Sequence, residues 1–201
     1  MIMSTDRFFH MLYAVIWPFF NLVHPVRAVG RENIPEGAAL ICPNHTKASD
    51  PFFVVFAFRR KHTMRAMAKK QIMDVPAIGW ILGKAGVFGI DRGAADINGV
   101  KTALRCLKEG NKLLLFPEGT RVEEGETVEA KTGAAMFAVR TGAPIVPVYI
   151  PAKKRWFRPT TVVIGKPFYP QVAGKKGTSE EYHAIANELM ARIRALGEEQ
   201  K

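Results

Sequence analysis

The chain has 201 residues, enough for one domain with a full core, and 48% of them are hydrophobic, which excludes a disordered chain. Lys and Arg outnumber Asp and Glu by 29 to 18, a net charge of +11. An anionic partner is therefore expected: nucleic acid, an anionic membrane or a phosphorylated small molecule. The two cysteines, Cys42 and Cys106, lie in apolar surroundings and form neither a disulfide framework nor a metal pattern.

From Phe8 to Val29 the chain is crowded with apolar and aromatic groups, among them Phe9, Tyr13, Trp17, Phe19 and Phe20. The uninterrupted run is only Met11 to Phe20, about half of the ~20 residues a membrane span needs, and Pro18, Asn21, His24 and Pro25 interrupt it. No small-x-small cleavage site follows it, as a signal peptide requires. Residues 1–25 are expected to form a membrane-associating helical segment lying in the interface, with Tyr13 and Trp17 at headgroup depth. A helix packed on the domain is the alternative. Residues 26–201 form the body.

Val26 to Gly30 predicts a short strand, with a turn over residues 33–37. Ala38 to Cys42 is an apolar run that ends at Pro43 and gives way to polar residues, the pattern of a buried strand entering a loop. Asp50-Pro51 then predicts a helix start, with Asp50 as the N-cap and an apolar helix over 51–60. His45 thus falls in a tight strand-to-helix loop. Such a turn can join imidazole to carboxylate, so that Asp50 fixes the tautomer and leaves the other ring nitrogen as a base. Taken alone, the two residues read rather as a loop histidine and a helix cap, because a lone His-x4-Asp spacing is common by accident.

Further along, Met64 to Ala68 predicts a strand, Pro76 to Leu82 a short helix, and Ala85 to Ile90 a strand leading into Asp91-Arg92-Gly93. Ile97, Val100, Leu104 and Leu107 have helical spacing, with Gly110 as the stop. Leu113 to Phe116 has the continuous apolar character of a central parallel strand and ends in Pro117-Glu118-Gly119-Thr120-Arg121. A helix over Gly133 to Arg140, strands over Ile145 to Ile150 and Thr161 to Ile164, and an amphipathic helix with Tyr182, Ile185, Leu189 and Ile193 on one face complete the chain. The fold class is α/β, a largely parallel central sheet flanked by helices.

Three loops set polar groups after apolar strands: His45 to Asp50, Asp91-Arg92, and Glu118 to Arg121. Ligands collect beyond the carboxyl ends of strands in open α/β sheets, so one pocket would gather a His-Asp pair, two arginines and a glycine loop. Arginine offers a planar fork to phosphate oxygens, and Gly119 lets backbone approach an anion. Singly, Arg92 and Arg121 read as surface salt-bridge partners.

Asn44-His45-x4-Asp50, Gly86-Val87-Phe88-Gly89-Ile90-Asp91-Arg92, Phe116-Pro117-Glu118-Gly119-Thr120-Arg121 and Ala143-Pro144-Ile145-Val146-Pro147-Val148 occur in that order. Together they resemble the four sequence blocks of the glycerolipid acyltransferases, and most closely those of 1-acylglycerol-3-phosphate acyltransferases. The resemblance spans about residues 29–150. Lys47 and Val122 depart from it, each standing where the family often has serine.

The resemblance implies that His45 is a general base that takes the proton from the sn-2 hydroxyl of lysophosphatidic acid. Asp50 orients the ring and stabilises the imidazolium. The hydroxyl attacks the thioester of acyl-CoA or acyl carrier protein, giving phosphatidic acid, with the thioester as co-substrate, no further cofactor and no metal. Gly119, Thr120 and Arg121, with Arg92 and Lys69, would hold the acceptor phosphate. Glu118 would position Arg121 or the glycerol hydroxyl. Cys42 could form an acyl-enzyme, although its place at a strand end marks a buried structural thiol. The expected partners are a lysophospholipid, an acyl thioester donor and a membrane surface, with monotopic or peripheral placement on the cytoplasmic face of the cell membrane. The competing class is a non-catalytic binding protein. Lys153-Lys154-Arg155-Trp156-Phe157-Arg158 mixes cations and aromatics as nucleic-acid surfaces do, but an anionic bilayer explains it equally and no nucleic-acid module appears, so no nucleic-acid partner is expected.

Overall fold

The structure, a computed structural model, describes residues 3–91, 96–123, 126, 128–174 and 176–199. Helix α1 (Thr5–Val23) leads into β1 (Val26–Val29) and β2 (Ala39–Pro43). Next come α2 (Asp50–Phe58), β3 (Met64–Lys69), α3 (Lys70–Met73), α4 (Pro76–Lys84) and β4 (Val87–Ile90). The chain continues through α5 (Ile97–Lys108), β5 (Lys112–Leu114), α6 (Gly133–Thr141), β6 (Ile145–Tyr149), β7 (Thr160–Ile164) and α7 (Ser179–Glu198).

The strands form one sheet in the order β1-β7-β6-β2-β5-β3-β4. Strands β6, β2, β5, β3 and β4 run parallel; β7 is antiparallel to β6 and carries β1 parallel to itself at the edge. The fold is therefore α/β with a mostly parallel sheet flanked by helices. Strand β2 is buried along its whole length, and its side chains alternate between two cores. Leu40 and Cys42 join Leu113 and Ile145 in a layer capped by Leu107 of α5, Phe137 of α6 and Leu189 of α7. Ala39 and Ile41 face the other way, onto Phe53, Val54 and Phe58 of α2.

Helix α1 runs through Pro18. The residues on either side are held by packing: Tyr13 stacks edge-on against Phe56 at 5.2 Å, and Phe20 lies 5.0 Å from Phe53. Strand β5 ends at Leu114 rather than Phe116, although the Leu115 amide still donates to Ile41 O at 3.1 Å. Asp50 is not the N-cap of α2. Ser49 holds that position, and Asp50 is the first helical residue, its side chain turned back into the loop.

No helix among the described residues is long and apolar enough to cross a membrane. Helix α1 buries Phe8 and Phe9 near its start, while Met11, Val15, Phe19 and Leu22 form an exposed stripe. Phe8 also meets Trp80 of α4 at 5.9 Å.

Candidate active site

The loops after β6, β2 and β5 meet because these three strands are neighbours and parallel. Asn44, the first residue beyond β2, clasps Ile150 just past β6: its Oδ1 accepts from the Ile150 amide at 2.8 Å, and its Nδ2 donates to Ile150 O at 2.9 Å. His45 is tied in the same way to the loop after β5. Its amide donates to Glu118 Oε2 at 2.7 Å, and its carbonyl accepts from the Val122 amide at 2.8 Å. That second loop begins with a tight turn in which the Gly119 amide donates to Phe116 O at 3.0 Å, with Pro117 at its second position. Gly119 has φ of 68°, a left-handed conformation that glycine adopts without strain.

The ring of His45 stacks on Phe116, with centroids 4.0 Å apart. Its Nδ1 lies 3.0 Å from Oδ2 of Asp50, which is fully buried. The same oxygen accepts from the amides of Thr46 at 2.7 Å and Lys47 at 2.8 Å. A carboxylate only accepts, so the ring donates from Nδ1, and in the neutral imidazole this tautomer leaves Nε2 as the acceptor. Nε2 has no hydrogen-bond partner among the described residues. Burial alone would raise the Asp50 carboxyl. Hydrogen bonds from His45, Lys154 and the Lys47 amide outweigh it and hold the group below its usual range.

Lys154, four residues past Ile150, was read from the sequence as one of a run of surface cations. The structure corrects this. Its side chain is 5% exposed, and its Nζ lies 2.8 Å from Asp50 Oδ1 and 3.0 Å from Thr46 Oγ1. Only proximity to a buried carboxylate could have revealed it, and a contact across about a hundred residues leaves no local pattern.

Beside the pair lies a cleft of ≈ 820 Å³, with Thr46, Lys47 and Lys154 on its wall. Arg121 lines it together with Lys153 and Arg155, so cations outnumber Glu123, the one carboxylate among the lining residues. Thr120 is exposed near Arg121. Glu118 instead borders a smaller adjoining hollow of ≈ 170 Å³ with Asn44, Val122, Tyr149 and Met190. Lys69 is exposed at the carboxyl end of β3, on the same edge of the sheet, but it is not among the residues lining the cleft. Arg92 lies outside the described residues.

Cys42 is fully buried and burial pushes its thiol up, so it offers no nucleophile. What remains is a histidine–carboxylate pair without a nucleophile of its own, whose neighbours Thr46, Lys47 and Lys154 line a cationic cleft. That arrangement suits activation of a hydroxyl on an anionic substrate.

The class of this α/β chain is that of the transferases. The chain belongs to the acyltransferase family, which it matches over residues 25–151. It is 30% identical over 178 residues to the 1-acyl-sn-glycerol-3-phosphate acyltransferase of Pseudomonas aeruginosa, covering 82% of this chain and 68% of that one. It is 28% identical to the Bacillus subtilis protein of the same name, covering 85% and 87%. It spans about half the length of several others. Its fold resembles the crystal structure of the 1-acyl-sn-glycerophosphate (LPA) acyltransferase PlsC from Thermotoga maritima, with a TM-score of 0.66 and 25% identity over 98% of this chain and 78% of that one.

Glu118 contrasts with Asp50. Burial first, and then the Asp50 charge, push its carboxyl up to about 7, against the His45 amide that it accepts. The folded protein therefore holds a proton that the unfolded chain releases, and stability falls as pH rises from about 4.5 to about 7. Glu118→Gln can still accept the His45 amide but has no such dependence. Its stability relative to wild type should rise by roughly 3 kcal/mol between about pH 4 and pH 8, at about 1.36 kcal/mol per pKa unit. Urea unfolding at the two pH values measures this; an equal difference at both would show that Glu118 is not shifted.

Proposed function

We propose that the chain transfers a fatty acyl group from an acyl thioester to the sn-2 hydroxyl of lysophosphatidic acid, giving phosphatidic acid. The observation that carries the reading is the His45–Asp50 pair, with Nε2 of His45 unengaged beside a cleft rich in cations. The relatives' names supply the acceptor, and the cleft's charge agrees with a phosphomonoester. Nε2 takes the hydroxyl proton as the oxygen attacks the thioester carbonyl, and Asp50 stabilises the imidazolium. When the tetrahedral intermediate collapses, the proton passes to the departing thiolate of coenzyme A or acyl carrier protein.

His45→Ala should reduce kcat by at least the roughly 10²–10⁴-fold expected for loss of a general base. The assay is transfer of labelled acyl groups from acyl-CoA and from acyl carrier protein to lysophosphatidate, glycerol 3-phosphate and a neutral lysolipid. The same assay separates the two donors. Near-normal turnover by folded His45→Ala would remove His45 from the mechanism, and no transfer to any acceptor would favour a binding protein.

Arg121 is the phosphate ligand best supported by position, because it lines the cleft on the loop stitched to His45. A charge-assisted hydrogen bond is worth about 1.5–3 kcal/mol, so Arg121→Ala should weaken use of lysophosphatidate about ten- to a hundredfold. Arg121→Lys should recover only part, since the bidentate fork is lost. A fall in apparent affinity for the thioester instead would assign Arg121 to the donor.

A lipid acceptor calls for a membrane surface, here the cytoplasmic face of the cell membrane. Exposed apolar groups support a monotopic placement along α1: Phe19 at 72% and Leu22 at 70% on the helix, Trp80 at 61% beside its start, and Trp156 at 70% beside its end, 6.0 Å from His24. Phe157, with φ of 57°, is held at the loop tip by the hydrogen bond that its amide donates to Val23 O at 2.7 Å. Phe19→Ser with Leu22→Ser should lower binding to anionic liposomes in high salt by tenfold or more, because full burial of each side chain is worth ~1.5–3 kcal/mol. Co-sedimentation at low and high salt checks this, since only the charge-dependent part is screened.

A further inference from the structure

Lys154 is unused by the reaction as written above, yet it is buried against the catalytic pair. Its Nζ touches Asp50 Oδ1 and Thr46 Oγ1 and lies 5.7 Å from the Phe53 ring centroid. Its neighbours Lys153 and Arg155 are exposed. Removing an ammonium group from water is costly, and a loop with two solvated cations on either side has no need of it for solubility. The two oxygens of Asp50 are thereby divided. Oδ2 serves the His45 ring and its loop, and Oδ1 serves Lys154.

We propose that Lys154 is a positioning residue that fixes the Asp50 carboxylate against His45 and balances its charge, so that Nε2 of His45 stays unprotonated at the pH where the enzyme works. This rests on the reading of His45 as the base. An ionised carboxylate at 3.0 Å from Nδ1 favours imidazolium, and a histidine already protonated cannot accept the hydroxyl proton. A fixed cation on the far oxygen opposes that effect without removing the hydrogen bond that orients the ring. The balance leaves Asp50 able to stabilise the imidazolium that forms during attack, while the resting base remains free.

Other charges also face His45. Glu118 accepts from its amide, Lys47 shares its loop, and Arg121, Glu123, Lys153 and Arg155 line the cleft that Thr46 and Lys47 border. All of these persist when Lys154 alone is replaced, so a comparison of Lys154 variants isolates its contribution.

The test is the pH dependence of kcat/KM for wild type, Lys154→Met and Lys154→Arg, with thermal melting of the same samples. Lys154→Met should lose activity near neutrality, move the acid limb about one pH unit or more upward, and regain part of the loss at alkaline pH. Lys154→Arg keeps the charge and should keep the limb in place, even with a reduced maximum. NMR titration of the His45 ring, assigned by its loss in His45→Ala, should show the same upward movement and needs no turnover. A Lys154→Met protein with reduced rate but an unmoved acid limb and ring titration would overturn the proposal. Equal movement in the Arg variant would do so too. If Lys154→Met does not fold, Lys154→Gln carries the comparison, and failure of both neutral variants while Lys154→Arg folds would mark the cation as purely structural. Absence of acyl transfer by wild type at every pH would instead refute the proposed function, leaving the ring titration to judge Lys154.

Discussion

The site depends on a carboxylate kept ionised in the protein interior. Asp50 has no exposed surface, and an isolated buried charge would take up a proton instead. It stays a carboxylate because donors arrive from two directions: the ring of His45 and the amides of Thr46 and Lys47 on one side, and Lys154 on the other. Its place in the first turn of α2 adds the favourable end of a helix dipole. Glu118, also buried and nearby, shows the contrary outcome. With the single amide of His45 to accept and the Asp50 charge against it, its carboxyl moves up to about 7. Two buried acids in one site thus differ because of the number of donors each receives.

Those donors can converge only because of the order of the strands. Strand β2 lies between β6 and β5, so its exit loop is flanked by both of theirs. The clasp of Asn44 on Ile150 and the paired hydrogen bonds between His45 and the Glu118–Val122 loop fasten all three exits together. Any shift of one strand against another would part His45 from Phe116, or Asp50 from Lys154. The packing of Leu40 and Ile41 into opposite cores fixes that register.

The parts of this arrangement that depend on local pattern were legible in the sequence. The apolar runs over 38–42, 113–116 and 145–150 identified the central strands, and the polar residues after them identified the loops. A strand-to-helix turn made the His45–Asp50 pair possible, the motifs further along selected it over a loop histidine and a helix cap, and the alternation of strands and helices specified the fold class. What was missed lies in contacts between distant segments. Lys154 reads as a solvated cation beside Lys153 and Arg155, and nothing nearby in the chain says that one of the three turns inward. Asp50 reads as a helix cap because its side chain was paired with the helix that follows, and the loop that precedes claimed it instead.

The segment after β6 joins three properties that seem unrelated in sequence. Lys154 points into the core against Asp50, Lys153 and Arg155 line the cleft, and Trp156 and Phe157 are exposed at the tip beside the end of α1. On the proposed reading this order matches the molecule that must be handled. A lysophosphatidate has an anionic headgroup that belongs in the cationic cleft and an acyl tail that must remain in apolar surroundings while the headgroup is acylated. An aromatic tip next to cleft cations lets the headgroup leave the bilayer while the tail stays covered, which avoids the cost of exposing the tail to water. The hydrogen bond to Val23 and the edge-on contact of Trp156 with His24 keep that tip at the end of α1. On that reading one short loop relates a membrane-facing surface, a headgroup site and the charge of a catalytic pair.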